Sequence, residues 1–268
     1  MIPRTIAQAL YVDGRFVAKS DDFDDAWQTE AERIIEAFGL PAGVSAPDSL
    51  FAVPFGRRQV AIVSVSGRRF RFLVLPRRLY DVIPDPFAIS ERFPPQWDNV
   101  RTLPTLEWPE ESLPRRTVEQ LDAIFKHGDG PFLLGACQAL VDSGRIVLVR
   151  PETDPKVCRD LWNLLPDSTR RHTWPATFAY STALRFGLAV LPTMPEGVTT
   201  GYMTEDQARD YPESRYEAEL QVAVEHKDQR TVDRLFARRS SAETLRLAIW
   251  LVVGATVLSV ASRVIMAW

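Results

Sequence analysis

Residues 50–75 read LFAVPFGRRQVAIVSVSGRRFRFLVL, three short apolar runs separated by two glycine-arginine pairs. The runs have the length and the content of β-branched and aromatic residues that are typical of strands. Glycine followed by a charged residue is typical of the turns between strands that are consecutive in the chain. The stretch therefore predicts a three-stranded antiparallel meander. Its strands are expected at 50–53, 59–65 and 70–75.

The residues before the meander predict a hairpin and one helix. Asp13-Gly14 is a strong hairpin turn between a strand at 6–11 and its partner at 15–18. An acidic run at 21–25 then caps a helix that ends near Phe38, with apolar residues at helical spacing and Gly39 just past its end. Together with the meander, these elements predict an N-terminal α+β module at 1–83.

A proline-rich segment follows at 84–116. Its seven prolines are too closely spaced for a regular helix or a central strand. Three large aromatic residues, Phe93, Trp97 and Trp108, argue against disorder. We therefore expect an extended connector that packs over the first module and leads into a second one.

Residues 117–212 predict a second α+β module. Thr117 and Asp154 are typical N-caps for helices at 117–126 and 154–165. A further buried helix is expected at 132–141 and a short one at 204–208. Strands are expected at 145–149, 176–180 and 187–191. Ser214 is expected to cap a long juxtamembrane helix at 213–244.

The C-terminal stretch is the most apolar part of the sequence. Residues 247–262 are sixteen consecutive uncharged residues, and only Arg263 interrupts the apolar character that continues to Trp268. A helix over 245–268 would be about 33 Å long at 1.5 Å per residue, enough to cross a hydrocarbon core of about 30 Å. Trp250 and Trp268 stand near its two ends as interfacial anchors, and Arg263 can extend to the headgroups. The alternative is a buried C-terminal core helix.

Arginines before this stretch predict its orientation. Arg234, Arg238, Arg239 and Arg246 precede it, against one arginine after it, so the N-terminal side is expected in the cytoplasm. The fold class predicted from the sequence is therefore α+β: two small mixed modules joined by the proline-rich segment, then a long helix that runs into a single C-terminal transmembrane helix. The protein is expected to be tail-anchored, single-pass and located in the cytoplasmic (inner) membrane, with the lipid bilayer as one partner.

Composition excludes several classes of function. The net charge of −3 is too small for a protein that binds nucleic acid through global electrostatics. Two cysteines, Cys137 and Cys158, exclude a disulfide framework and are expected to be buried thiols. The histidines lie far apart in sequence, and neither a glycine-rich phosphate loop nor a nucleophile elbow is present. No catalytic, cofactor-binding or metal-binding residue is therefore assigned, and no cofactor is expected.

A basic set of residues accompanies the meander. Between Phe51 and Tyr80 there are seven arginines and no acidic residue. They could form a surface for anionic lipid headgroups or for an acidic face of a protein, or they could be neutralised by the acidic loops of the same fold. The set comprises Arg57, Arg58, Arg68, Arg69, Arg71, Arg77 and Arg78.

A second basic motif reads RRHTW at 170–174. Two arginines and a histidine beside a tryptophan could hold a phosphate or a carboxylate. They could equally cap the C-terminal end of the helix expected at 154–165, where cations are favourable. Both interpretations stay open from the sequence alone.

Two stretches carry a resemblance to a known family. The first is QALY at 8–11, followed by DGR at 13–15 and KS at 19–20. The second is LLP at 164–166, followed by RR at 170–171 and ATF at 176–178. Both are similar to segments of the GTPase-associated accessory proteins of bacterial conflict systems. The resemblance implies an adaptor that acts beside a small GTPase or another signalling partner and has no catalytic residues of its own.

Three functions are compatible with these features. The first is a membrane-tethered cytoplasmic adaptor without catalytic activity that binds another protein. The second is a membrane-bound enzyme of unfamiliar type, such as a hydrolase using Ser181 or His172. The third is a structural component of a membrane complex. The absence of a recognisable catalytic motif favours the adaptor.

Overall fold

A computed structural model of the protein describes residues 3–97, 102–111, 113–194 and 201–237. Within these ranges the elements follow one another in a mixed order of strands and helices. The strands are β1 (Thr5–Val12), β2 (Arg15–Lys19), β3 (Ala46–Phe55), β4 (Gln59–Gly67), β5 (Arg69–Pro76), β6 (Leu106–Glu107), β7 (Ile146–Val149), β8 (Pro175–Ala176) and β9 (Leu188–Leu191). The helices are α1 (Ala26–Phe38), α2 (Arg77–Tyr80), α3 (Pro86–Arg92), α4 (Val118–His127), α5 (Gly130–Val141), α6 (Pro155–Leu164), α7 (Asp167–Arg170), α8 (Glu205–Arg209), α9 (Arg215–Glu225) and α10 (Gln229–Phe236).

The strands of the meander are β3, β4 and β5, paired antiparallel in chain order. The turns that join them need glycine, because Gly56 and Gly67 have φ angles of 58° and 62° in the left-handed region. Successive residues of β4 point to opposite faces of the sheet, and residues from 60 to 65 are buried on both faces. This central position explains why the sequence of β4 is a nearly continuous apolar run.

One sheet runs through both predicted modules. Its order is β2-β1-β5-β4-β3-β8-β9-β7, with β6 paired to the beginning of β1. The strands from β2 to β8 in this order pair antiparallel, whereas β9 is parallel to both β8 and β7. The predicted fold class of two separate small modules is therefore wrong: the structure is mixed α/β with a nine-stranded sheet in the described residues.

The junction between the two halves of the sheet explains this error. Phe51 of β3 pairs with Ala176 of β8. Beside them, the Leu50 amide donates to Thr177 Oγ1 and the Thr177 amide donates to Leu50 O, both at 2.8 Å. These contacts join residues more than 120 positions apart in the sequence, so no local pattern indicates them.

Each face of the sheet is covered by helices. On one face α1 packs against β1, β3, β4 and β5 through buried residues such as Ile34 and Phe38. On the other face α2, α3 and Trp108 cover the meander. Helices α4, α5, α6, α9 and α10 form a further core there with β7 and β9. Two buried layers therefore hold the sheet between them.

Two predicted helical features differ from the structure. The proline-rich segment contains α3, because Asp85 accepts from the amides of Phe87 and Ala88 and Pro86 occupies the first turn, where it needs no amide hydrogen. The long helix expected from Ser214 is two helices, since Lys227 takes a positive φ of 54° and Asp228 caps α10. The chain therefore folds α10 back onto α9 rather than continuing straight.

The membrane assignment is also corrected. No helix of the described residues has both the length and the apolar composition needed to cross a bilayer. The predicted span at 245–268, with Trp250, Arg263 and Trp268, lies outside the described residues. We therefore withdraw the transmembrane helix from the fold class, together with the tail-anchored, single-pass and inner-membrane assignments that depend on it.

Candidate functional site

The seven arginines of the meander lie at three places. Arg57 and Arg58 are exposed in the turn between β3 and β4, and the Arg58 carbonyl accepts from the Arg77 amide at 2.8 Å. Arg68 lies in the turn at the opposite end of β4, with Nε 3.8 Å from Asp13 Oδ1. The set is thus divided between the two ends of the meander and its interior. Arg69 begins β5 beside Arg68, and Arg77 and Arg78 belong to α2.

Arg71 is the member of the set that lies in the interior. Its side chain donates to Phe93 O and Gln8 Oε1, both at 2.5 Å, and Gln8 Nε2 donates to Pro104 O at 2.6 Å. Burial lowers the pKa of Arg71 to about 10. Both of these acceptors are neutral, so Arg71 ties the proline-rich segment to the sheet rather than presenting charge to a partner.

A buried ionic cluster fixes the RRHTW motif. Arg170 pairs with Asp85, and Arg116 pairs with Asp167 at 2.5 Å. Burial lowers the pKa of Arg116 to about 10, aided by the neighbouring charge of Arg170. Because two cations face two carboxylates, the cluster is balanced, and it connects the proline-rich segment to α7.

Arg171 and His172 of the motif lie nearer the surface than Arg170. Arg171 Nε donates to Asp81 O at 2.8 Å, and the Trp174 ring stacks on Tyr80 with centroids 5.6 Å apart. His172 is exposed, and its Nδ1 lies 3.2 Å from Arg77 Nη2. Since an arginine can only donate, this contact makes Nδ1 the acceptor and places the ring proton of the neutral imidazole on Nε2.

A cleft of about 680 Å³ opens beside this motif. Its wall carries Arg145, Arg185 and His172, and no carboxylate is found among its described lining residues. Three residues of the wall, Arg145, Trp174 and Gly187, directly precede β7, β8 and β9, so this part of the cleft lies where these strands begin. We refer to it as the basic cleft.

A groove of about 960 Å³ lies between the loop after α2 and the loop after β6. Its floor is apolar, and it includes Leu79, Ile83 and Trp108 of the underlying core. Val82 stands in it with 61% of its surface exposed. The rim carries three carboxylates and one arginine: Glu107, Glu110, Glu111 and Arg4. We refer to it as the acidic groove.

Ser181 and His172, the residues considered for a hydrolase, do not line the same cleft. His172 lines the basic cleft, whereas Ser181 is not among the lining residues; its Oγ accepts from the Ala183 amide at 3.0 Å. Cys137 and Cys158 are buried as expected, and burial raises the pKa of both thiols. In the described ranges no three His, Cys, Asp or Glu side chains are grouped as a metal would require.

Two comparisons with known proteins found no match. No protein-family model matches the sequence, and no curated protein is similar enough to count as a match. The resemblance to GTPase-associated adaptors therefore stays a prediction. Sequence reasoning missed both the groove and the cleft, although the RRHTW motif indicated the place of the latter.

Proposed function

We propose that the protein is a non-catalytic adaptor that binds a basic amphipathic segment of a partner protein in the acidic groove. The observation that carries the proposal is the combination of the exposed side chain of Val82 on an apolar floor with a carboxylate rim. Apolar grooves of this kind receive the apolar face of a helix or of an extended segment, while charges at the rim select the partner.

The floor supplies the area that a partner would bury. Among the described residues Val82 is the most exposed large apolar residue, and it lies between the buried residues Leu79 and Ile83. Removing a valine or leucine side chain from water contributes about 1.5–3 kcal/mol when burial is complete. Because Val82 is 61% exposed, a partner that covers it would gain part of this amount.

The rim supplies the charge preference. Arg4 lies 3.2 Å from Glu110, whose side chain is 93% exposed, so this pair is well hydrated. Three glutamates against one arginine leave the rim negative. Lysine and arginine side chains on a partner would meet complementary charge, and the attraction would weaken as salt is added.

The groove is held in shape before a partner arrives. Leu106 and Glu107 of β6 pair with the beginning of β1, and the Trp108 amide donates to Arg4 O at 2.9 Å. The Trp108 indole donates to Glu111 O at 3.3 Å. A rim fixed by such bonds loses little conformational freedom on binding, which favours affinity.

A signalling GTPase is the partner that the resemblance suggests. Its support is the short motifs at 8–20 and 164–178, and the acidic groove adds a chemical requirement: the docking segment of the partner should carry basic residues beside an apolar face. Membrane attachment is not part of the proposed adaptor role.

The test is a binding measurement with a defined peptide. Fluorescence anisotropy would follow a labelled amphipathic peptide of leucine and lysine, compared with one in which glutamate replaces lysine, on the purified full-length protein. Val82→Asp should weaken binding at least about tenfold, because it places a charge on the floor. Val222→Asp is the matched control, since Val222 is also an exposed valine, 53% accessible, on α9.

The rim is tested by the double variant Glu110→Gln/Glu111→Gln. It should weaken the lysine peptide several-fold at low salt, and the difference should vanish near 0.5 M salt, where the Debye length is only about 4 Å. Equal losses in the two valine variants, or equal affinity for the lysine and glutamate peptides, would contradict the proposal.

A further inference from the structure

We propose that the basic cleft is a second binding site, which takes a small molecule carrying a phosphate group. The cleft is separate from the acidic groove, since the two share no lining residue. Its chemistry is set by two arginines, Arg145 and Arg185, together with the hydroxyl side chains around them.

The charge of both arginines is not neutralised by any carboxylate among the described residues that line the cleft. Neither forms an ion pair with a carboxylate in the described part of the chain. The Arg145 guanidinium lies 5.8 Å from the centre of the Tyr202 ring, a contact that leaves its positive charge in place. Two guanidinium groups offer up to ten N–H donors, which suits an oxyanion with several acceptor oxygens.

Two residues of the cleft wall have an unusual backbone conformation. Ser143 and Arg185 have φ angles of 69° and 53°, although neither is glycine. The Arg185 amide donates to Thr182 O at 2.8 Å, and the Ser143 amide donates to Leu140 O at 3.1 Å. Such conformations are unfavourable for a residue with a Cβ, and at Ser143 the left-handed backbone ends α5, as is common at helix C-termini.

Neutral donors complete the lining. Ser168 and Thr173 are buried residues of the cleft wall, and Ser143 and Thr169 add further hydroxyl groups. A phosphate is bound in proteins by this mixture of arginine and hydroxyl donors.

The C-terminal end of α5 borders the basic cleft but does not repel an anion strongly. The C-terminal end of a helix carries partial negative charge on its unpaired carbonyl groups. Here the carbonyls of Gln138, Ala139 and Leu140 accept from the amides of residues 142, 144 and 143 respectively. The carbonyls next to the cleft are therefore largely satisfied within the chain.

The size of the cleft indicates more than an inorganic ion. A volume of about 680 Å³ lies within the range of sites for small organic ligands. Leu140, Leu184 and the Trp174 ring give it an apolar side that a bare phosphate would not use. We therefore assign the ligand to phosphate monoesters, with the phosphate at the arginines.

Isothermal titration calorimetry on the full-length protein tests this assignment with three probes. They are inorganic phosphate, adenosine monophosphate and adenosine, which has the same base and sugar but no phosphate. The expected result is binding of both phosphate-bearing probes, with the monophosphate tighter, and no binding of adenosine at the same concentration.

Variants locate the site. Arg145→Gln and Arg185→Gln should each weaken the monophosphate at least about tenfold. Arg15→Gln is the matched control, because Arg15 is exposed on β2 at the other edge of the sheet. Thermal melting of each variant establishes that it is folded. Val82→Asp should bind the monophosphate normally, so failure of the adaptor proposal and failure of this one are distinguishable.

Three outcomes would overturn the proposal. The first is the absence of binding heat for phosphate and monophosphate up to about 5 mM, a weak limit for a specific site. The second is adenosine binding as tightly as its monophosphate. The third is a folded double variant of Arg145 and Arg185 that keeps the affinity of the wild type.

Discussion

Replacing Arg170 by methionine tests whether the buried ionic cluster fastens the proline-rich segment to the core. Methionine retains much of the volume of the side chain but removes its charge. Arg170 and Asp85 have side chains only 4% and 16% exposed. Breaking a buried pair by removing one partner typically destabilises a protein by about 3–5 kcal/mol, because the remaining charge is left buried.

The structure places the expected value near the lower end of that range. Asp85 still accepts from the amides of Phe87 and Ala88, at 3.1 and 3.0 Å, which stabilise its charge. The substitution also removes Arg170 Nε, a buried donor without a hydrogen-bond partner among the described residues. We therefore expect a loss of about 3 kcal/mol, a large share of a domain stability of about 5–15 kcal/mol.

Urea denaturation followed by circular dichroism at 222 nm measures this loss. With a denaturant slope of about 3 kcal/mol/M or less, the midpoint should fall by about 1 M or more. Adding Asp85→Asn should recover part of the stability, because asparagine also caps helices and carries no charge. The coupling free energy between the two sites should be about 2 kcal/mol.

The control is Lys126→Met, which breaks a pair with Asp122 on the exposed side of α4, where the lysine is 67% exposed. It should change stability by less than about 0.5 kcal/mol. If Arg170→Met stays within about 1 kcal/mol of the wild type, or if the coupling to Asp85 is negligible, the cluster does not hold the segment in place.

Two further predictions follow from single positions in the helices. In α5, Gly135→Ala would bring a Cβ to 2.0 Å from Ala208 O, so it should lower the free energy of unfolding by about 2–3 kcal/mol. The control Gly130→Ala has open space around the new Cβ and should change the free energy of unfolding by less than about 1 kcal/mol. Similar melting curves for the two variants would contradict the close packing of α5 on α8. Burial raises the pKa of Glu217 above the usual 4.5, with the charges of Glu213 and Asp142 adding to the shift. The folded state therefore binds the proton more tightly than the unfolded chain, and stability contributed by the protonated form is lost as pH rises through the folded pKa. Glu217→Gln should be more stable than the wild type at pH 7 by a margin that disappears below the unfolded pKa, and a margin independent of pH would refute this assignment.

The local elements of this protein are largely readable from its sequence. Thr117, Asp154 and Thr204 were expected to begin helices, and each accepts a hydrogen bond from the backbone amide three residues later. The glycine turns of the meander are similar: the backbone at Gly56 and Gly67 needs a conformation that other residues adopt poorly. Such signals are strong because the cap and the turn are decided within a few consecutive residues.

The two candidate sites were not readable in the same way. The acidic groove combines residues near the N-terminus, the loop after α2 and the loop after β6. The basic cleft combines the starts of three strands that are separated in sequence by α6 and α7. Neither combination follows from spacing along the chain, since it depends on which strands become neighbours.

The seven arginines show the same division between local pattern and tertiary structure. Their sequence density left open either one basic surface or neutralisation within the fold. The alternation of strands sends the turns of the meander to opposite ends of β4, so the arginines do not share one place. Arginine is usually a surface residue, but Arg71 is buried because the proline-rich segment covers it. That segment supplies the Phe93 carbonyl, which accepts from Arg71, and the Pro104 carbonyl, which accepts from the Gln8 amide that also binds Arg71.

The sequence by itself determined several helix caps and turns, such as those at Thr117, Asp154 and Gly56, because hydrogen bonds and φ preferences at those points involve near neighbours. Tertiary structure decided that the two halves share one sheet, through the pairing of Phe51 with Ala176. It also decided which charges are neutralised: Arg170 finds Asp85 across 85 positions, whereas Arg145 and Arg185 find no carboxylate in the described part of the chain. The physical reason is that burial and ion pairing depend on distance in space, which only the folded chain fixes.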